Sequence, residues 1–198
     1  MKNLVLYIHG KNGSAEESEH YKKFFPKSEV VGFDYKSQNA WDAKKEFQNF
    51  FDSFCENYQS VKIIANSIGA FFVMHALSDK KIDEAFFISP IVNLEKLIAD
   101  MMTWANVTEN ELHDKKEIAT DFGENLSWKY LCYVRENPIK WSVPTHILYG
   151  EKDNLTSLET MKDFAEKIGA TLTVMNGGEH FFHTAEQMKF LDNWLENL

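Results

Sequence analysis

Cysteine and proline are scarce in this chain, with two of the first and four of the second among 198 residues. Cys55 and Cys132 are too few for a disulfide framework and too far apart for a zinc knuckle. Both sit in apolar or aromatic stretches, which reads as buried free thiols. Long apolar runs are missing too. No stretch approaches the ~20 residues of a membrane span. The apolar run at residues 4–8 falls short of the about 7–15 residues of an export signal. A cytoplasmic location is the expectation. Basic charge is the third shortage: 21 Lys and Arg stand against 30 Asp and Glu, a net charge of -9. The lysine pairs at 22–23, 44–45, 80–81 and 115–116 are isolated and form no stripe. That argues against a grip on nucleic acid or on an anionic membrane.

What is present is a globular composition. Hydrophobic residues make up 44% and charged residues 26%, and a chain of this length buries enough surface to fold without a metal or disulfide staple. Short apolar runs alternate with longer amphipathic segments. Strands are expected at residues 4–9, 29–34, 61–65, 84–89, 145–149 and 171–175. Helices are expected at 16–25, 41–58, 68–77, 158–168 and from about His183 to the C-terminus. Unbroken apolar strands alternating with helices predict a three-layer α/β/α fold around a mostly parallel six-stranded sheet. Residues 91–143 interrupt the alternation with three helical segments, at 93–102, 109–116 and 128–134. This insertion carries Trp104, Trp128, Tyr130, Tyr133 and Trp141 and reads as a lid within one domain spanning residues 1–198.

The residues that carry chemistry follow the strands. Ala65-Asn66-Ser67-Ile68-Gly69 stands between a strand and a helix, the setting of a nucleophile elbow, G-x-S-x-G, with Ala65 in the first small position. Asp153 follows the fifth strand in Gly150-Glu151-Lys152-Asp153. His180 follows the sixth in Gly177-Gly178-Glu179-His180. The order Ser, Asp, His in strand-end loops is that of a hydrolytic triad built on an α/β sheet. Glu151 is the alternative acid, and His183 competes with His180 for the base. Ser67 also reads as a plain helix cap, and Asp153 as a turn residue.

These motifs resemble the α/β-hydrolase superfamily, and its small serine hydrolases of about 200 residues in particular. The resemblance covers nearly the whole chain. It implies that the first strand matches the third strand of the family, so the usual first two are missing. His9-Gly10-Lys11-Asn12-Gly13 resembles the oxyanion loop. The resemblance implies that the backbone N–H of Lys11 pairs with that of Ile68 to hold an oxyanion, with Asn12 as a second choice for Lys11. Ala65 departs from the family pattern. The function implied is hydrolysis of a small or medium carboxylic ester, with thioester and amide as equivalents, by Ser67, His180 and Asp153. The expected substrate is a small molecule, with no metal and no cofactor, and the chain is a monomer or homodimer. A binding protein that keeps the fold without turnover is the competing reading, and peroxide in place of water a third.

Overall fold

The computed structural model describes residues 2–198. Its strands are β1 (Asn3–Ile8), β2 (Ser28–Gly32), β3 (Ser60–Asn66), β4 (Glu84–Ile88), β5 (Glu117–Ala119), β6 (Asn125–Ser127), β7 (Thr145–Gly150) and β8 (Thr171–Met175). The helices are α1 (Ala40–Phe54), α2 (Ser67–Ala76), α3 (Leu94–Trp104), α4 (Glu109–Lys115), α5 (Trp128–Glu136), α6 (Leu158–Ile168) and α7 (Ala185–Glu196). Two compact units separate, one of residues 2–92 and Lys140–Leu198 and one of Asn93–Ile139.

In the larger unit six strands form one parallel sheet in the order β2-β1-β3-β4-β7-β8. Chain order reverses at β1, with β2 on one side and β3 on the other. At such a switch point the loops leaving adjacent strands diverge and open a crevice at the carboxyl ends. Alternation along β1 feeds two cores. Val5 and Tyr7 join a cluster with Tyr21, Ile64, Phe86, Leu191 and Trp194, so one face packs on α7 and on the segment after β1. On the other face Ile8 lies against α2, and α1 meets α2 through Phe47 and Phe72. Helix α1 buries Ala40, Ala43, Phe47 and Phe51, a helical spacing, and Asn39 caps it by accepting from the Asp42 N–H at 2.9 Å. Helix α2 is buried on most sides.

Several details depart from the sequence reading. Residues 15–24 form a 3-10 helix, Ala15–Phe24, in place of an α-helix. Ser18 and Tyr21 are buried and Phe24 packs beside them, a spacing of three that suits three residues per turn. Helix α7 begins at Ala185, after the Thr184 cap, and not at His183. Cys132 is half-buried where a buried thiol was expected, whereas Cys55 is buried and its thiol is pushed up to about 12 by desolvation.

The smaller unit holds α3, α4 and α5, and also an antiparallel hairpin of β5 and β6 that the sequence reading missed. Its strands are three residues each, too short to show periodicity. Thr108 and Glu111 box the start of α4. Arg135 of α5 bonds Glu95 through Nε at 2.8 Å and grips Glu109 with both terminal guanidinium nitrogens, at 2.6 and 2.9 Å. The unit begins at Asn93 and ends at Ile139, and Trp141 belongs to the larger one.

Where the chain re-enters the sheet, the buried Trp141 indole donates to the Thr145 hydroxyl at 2.8 Å, which donates on to the Val143 carbonyl at 2.7 Å. Thr145→Val keeps the shape and orphans the indole N–H. We expect a loss of about 1–3 kcal/mol, seen as a lower urea midpoint with an unchanged slope.

Candidate active site

Ser67 occupies the turn from β3 into α2 with φ of 49°, left-handed backbone that a side-chain-bearing residue adopts only under constraint. The constraint is close packing. A Cβ at Gly69 would stand 2.3 Å from the His9 carbonyl oxygen, so only glycine lets the first turn of α2 settle on the end of β1. Ile91 N–H donates to the Ser67 carbonyl at 3.1 Å, which props the turn from the β4 side. Ser89, the residue after β4, is strained in the same way with φ of 44°.

The Asp153 carboxylate has no side-chain exposure. Its Oδ1 accepts from the N–H groups of Leu155 at 2.8 Å and Thr156 at 3.1 Å, and its Oδ2 sits 2.7 Å from His180 Nδ1. An ionised carboxylate only accepts, so Nδ1 carries the proton and Nε2 is left to accept. Ser67 Oγ lies 2.8 Å from that Nε2. Serine, imidazole and carboxylate thus form one hydrogen-bonded line.

Two loops are fastened together to make this line. Lys152 N–H donates to the Gly178 carbonyl at 2.7 Å and Glu151 N–H to the Met175 carbonyl at 3.0 Å. The Glu151 carboxylate accepts from Gly177 N–H at 2.8 Å, so the alternative acid serves the loop and does not reach the imidazole. Tyr149 donates to the Thr156 carbonyl at 2.6 Å, and burial, with the Asp153 charge adding, pushes its hydroxyl up to about 12. It stays a donor through the neutral range. His183, the competing base, also lines the cleft, but its Nδ1 lies 2.7 Å from the Phe181 carbonyl and its ring stacks on Phe181 at 5.1 Å.

The loop after β1 lies against the serine, since a Cβ at Gly10 would touch Ser67 Cβ at 3.2 Å. The next residue, Lys11, lines the same cleft as Ser67. Ile68 is the second residue of α2, where a backbone N–H has no helical acceptor. His9 is structural: its ring stacks on Tyr35 at 4.3 Å, and the Tyr35 hydroxyl donates to its carbonyl at 2.9 Å. Sequence reasoning missed this tyrosine. It also missed a polar chain beside the serine, in which Asn66 Nδ2 donates to the Tyr7 hydroxyl at 2.9 Å and Tyr7 donates to the Glu17 carboxylate. Burial raises the Tyr7 pKa, so the hydroxyl remains a donor. A tyrosine within the apolar run at 4–8 was the one available signal.

A cleft of about 700 Å³ opens at Ser67 and His180. Ile88, Leu155, Phe182, Met188 and Leu191 give it an apolar wall, and Glu17, His20 and Asn66 a polar one. The size is ordinary for a small-molecule site. Among the described residues no group of three His, Cys, Asp or Glu side chains could hold a metal ion, and no helix is long and apolar enough to cross a membrane.

No protein-family model matches the sequence, and no curated protein does. Solved structures match its shape. Alpha/beta hydrolase domain-containing protein 10 from mouse superposes with a TM-score of 0.78 at 14% identity, over 98% of this chain and 88% of that one. Est1E from Butyrivibrio proteoclasticus gives 0.77 at 14% identity, over 99% and 86%. The Pyrococcus furiosus esterase Pf2001 gives 0.63 at 22% identity, over 99% and 78%. The chain has the α/β-hydrolase fold. On that fold Ser67, Asp153 and His180 stand at the carboxyl end of the sheet, at the ends of β3, β7 and β8.

The acid and histidine loops meet at Gly150, where a Cβ would lie 2.4 Å from the Glu179 carbonyl oxygen and 2.6 Å from that of Gly178. Gly150→Ala forces them apart. A drop of about 1–3 kcal/mol is expected from such overpacking, measured as a lower thermal midpoint than that of the native chain.

Proposed function

We propose that this protein is a serine hydrolase that cleaves a small or medium carboxylic ester through an acyl-enzyme on Ser67. One observation carries the reading: the unbroken line from Ser67 Oγ through His180 to the fully buried carboxylate of Asp153, at 2.8 and 2.7 Å. A serine hydroxyl is a weak nucleophile until a base stands within hydrogen-bond reach. A solvated helix cap needs neither the imidazole nor the carboxylate behind it.

His180 Nε2 takes the Ser67 proton as Oγ bonds to the ester carbonyl carbon, and the carbonyl π pair moves onto oxygen. The backbone N–H groups of Lys11 and Ile68 receive that oxyanion, helped by the positive end of α2. When the tetrahedral adduct collapses, the C–O bond to the alcohol breaks and His180 returns its proton to the departing oxygen. Water then enters. His180 deprotonates it, the acyl–Oγ bond breaks, and the carboxylic acid leaves with Ser67 reprotonated. Asp153 holds the imidazole in the tautomer that keeps Nε2 free and stabilises the imidazolium formed twice per cycle.

The names of two fold-mates agree with an ester. Pf2001 is called an esterase, and Est1E has been solved with ferulic acid, a carboxylic acid, bound. Thioesters and amides use the same atoms and differ in the leaving group.

A fluorophosphonate probe should add once to the native protein, read by intact mass, and not at all to Ser67→Ala. Asp153→Asn should keep the fold and lose about 10⁴-fold in kcat on a p-nitrophenyl ester, because the neutral amide favours the wrong tautomer. Absence of an adduct on folded native protein overturns the reading in favour of a binding role.

A further inference from the structure

The cleft has a far end, and its construction bears on which acyl groups fit. Its polar wall is the 3-10 helix Ala15–Phe24, in which side chains three apart are eclipsed and stand in a row about 6 Å apart. Glu17, His20 and Lys23 form such a row. Glu17 stands by the loop after β1, where its carboxylate accepts from Ser14 N–H at 3.2 Å and lies against Gly13. His20 comes a turn later and still lines the cleft, while Lys23 does not. The opposite wall behaves alike on α7, where Met188 and Leu191 line the cleft and Asp192, the next residue, does not.

Both walls stop at the same place because they are tied together there. His20 Nε2 sits 2.7 Å from Asp192 Oδ1, and Lys23 Nζ lies 2.5 Å from Asp192 Oδ2. Burial pushes the Asp192 carboxyl up, but the Lys23 and His20 partners outweigh it and hold the group below the usual carboxylate range. The carboxylate therefore stays charged and the tie stays made at neutral pH. His20 is further seated edge-on against Tyr21 at 5.2 Å, and Tyr21 is a core residue stacked on Tyr7.

We propose that the cleft receives the acyl chain of an aliphatic ester along its apolar α7 wall, and that the His20–Asp192 bridge is the stop that limits the length of that chain. This inference rests on the acyl-enzyme reading of Ser67. Anionic acyl groups are disfavoured by the Glu17 carboxylate on the cleft wall, and short or medium unbranched chains lie against Leu155, Phe182, Met188 and Leu191. The flexible Met188 lets chains of slightly different thickness pack equally well.

The test is a series of p-nitrophenyl esters from acetyl to dodecanoyl, with kcat/KM measured for the native protein, His20→Ala, Asp192→Asn and Met188→Phe. Fluorophosphonate labelling of each protein runs alongside. For the native protein kcat/KM should rise by roughly fourfold per methylene while the chain is being buried, then fall once the chain reaches the bridge. His20→Ala and Asp192→Asn should move the maximum to longer chains, and Met188→Phe should move it to shorter ones. Labelled proteins with superimposable profiles overturn the proposal and leave the nucleophile intact. A native profile that keeps climbing to dodecanoyl overturns it as well. Native protein that neither labels nor turns over any ester removes the acyl-enzyme reading and this proposal together. Should the bridge variants fail to fold, Met188→Phe decides alone, and an unshifted maximum counts against the stop.

Discussion

A carboxylate with no access to water has to be met by donors wherever the chain goes, and Asp153 is such a group. An unpaired charge in that position costs several kcal/mol. Its needs are met by two backbone N–H groups of its own loop and by the imidazole of the next loop. Satisfying the acid therefore draws the loops after β7 and β8 together, and it turns His180 so that Nε2 faces Ser67. The backbone bonds from Lys152 and Glu151 and the hydroxyl of Tyr149 make that arrangement rigid. Local folding stability and site geometry come from the same set of bonds here.

The second half of the site depends on the close approach of chain segments. The order of strands puts the loop after β1 and the turn after β3 side by side at the switch point. Only there can the Gly10 loop reach Ser67 while α2 sits on the carbonyl of His9. Left-handed backbone at Ser67 costs on the order of 1–3 kcal/mol. Burial of α2 on most of its surface repays it, since each large apolar side chain removed from water contributes about 1.5–3 kcal/mol. A less buried helix would relax the serine into ordinary conformation and carry the hydroxyl away from the imidazole.

Much of this was legible because the informative residues are punctuation. Apolar runs ending in Gly10, Ser67 and Gly150 mark where strands stop, and residues at strand ends in a parallel sheet face the crevice. Of the three residues chosen on that ground, His180 lies within hydrogen-bond reach of both Ser67 and Asp153. Glu151 and His183 could be separated from them only with coordinates, because an offset of two or three residues in a loop leaves no periodic trace. The 3-10 helix escaped for a related reason. Its buried positions Ser18 and Tyr21 and the half-buried Phe24 fit a period of three or of 3.6 about equally well over ten residues, and the small difference decides which side chains stand in a row. The β5–β6 hairpin is shorter than any pattern that sequence can show. The chain from Asn66 through Tyr7 to Glu17 joins three separate elements, and no local window contains it.

The polar chain beside the serine also explains why the cleft is lopsided. Tyr7 sits on the sheet face that packs on α7 and the 3-10 helix, in the midst of the apolar cluster, with no exposure of its own. A buried phenol there requires partners for its hydroxyl. Asn66 and Glu17 supply them, one from the strand that leads into Ser67 and one from the 3-10 helix. That requirement holds a carboxylate on one wall of the cleft, while α7, which covers the same core with Leu191, Trp194 and Leu195, leaves the other wall apolar. The two-sided character of the cleft is thus a consequence of how the core beneath it is closed. A change in cleft shape that reached Tyr7 or Leu191 would cost stability, whereas His20, Asp192 and Met188 lie at the margin, where the cleft can be reshaped without reopening the core.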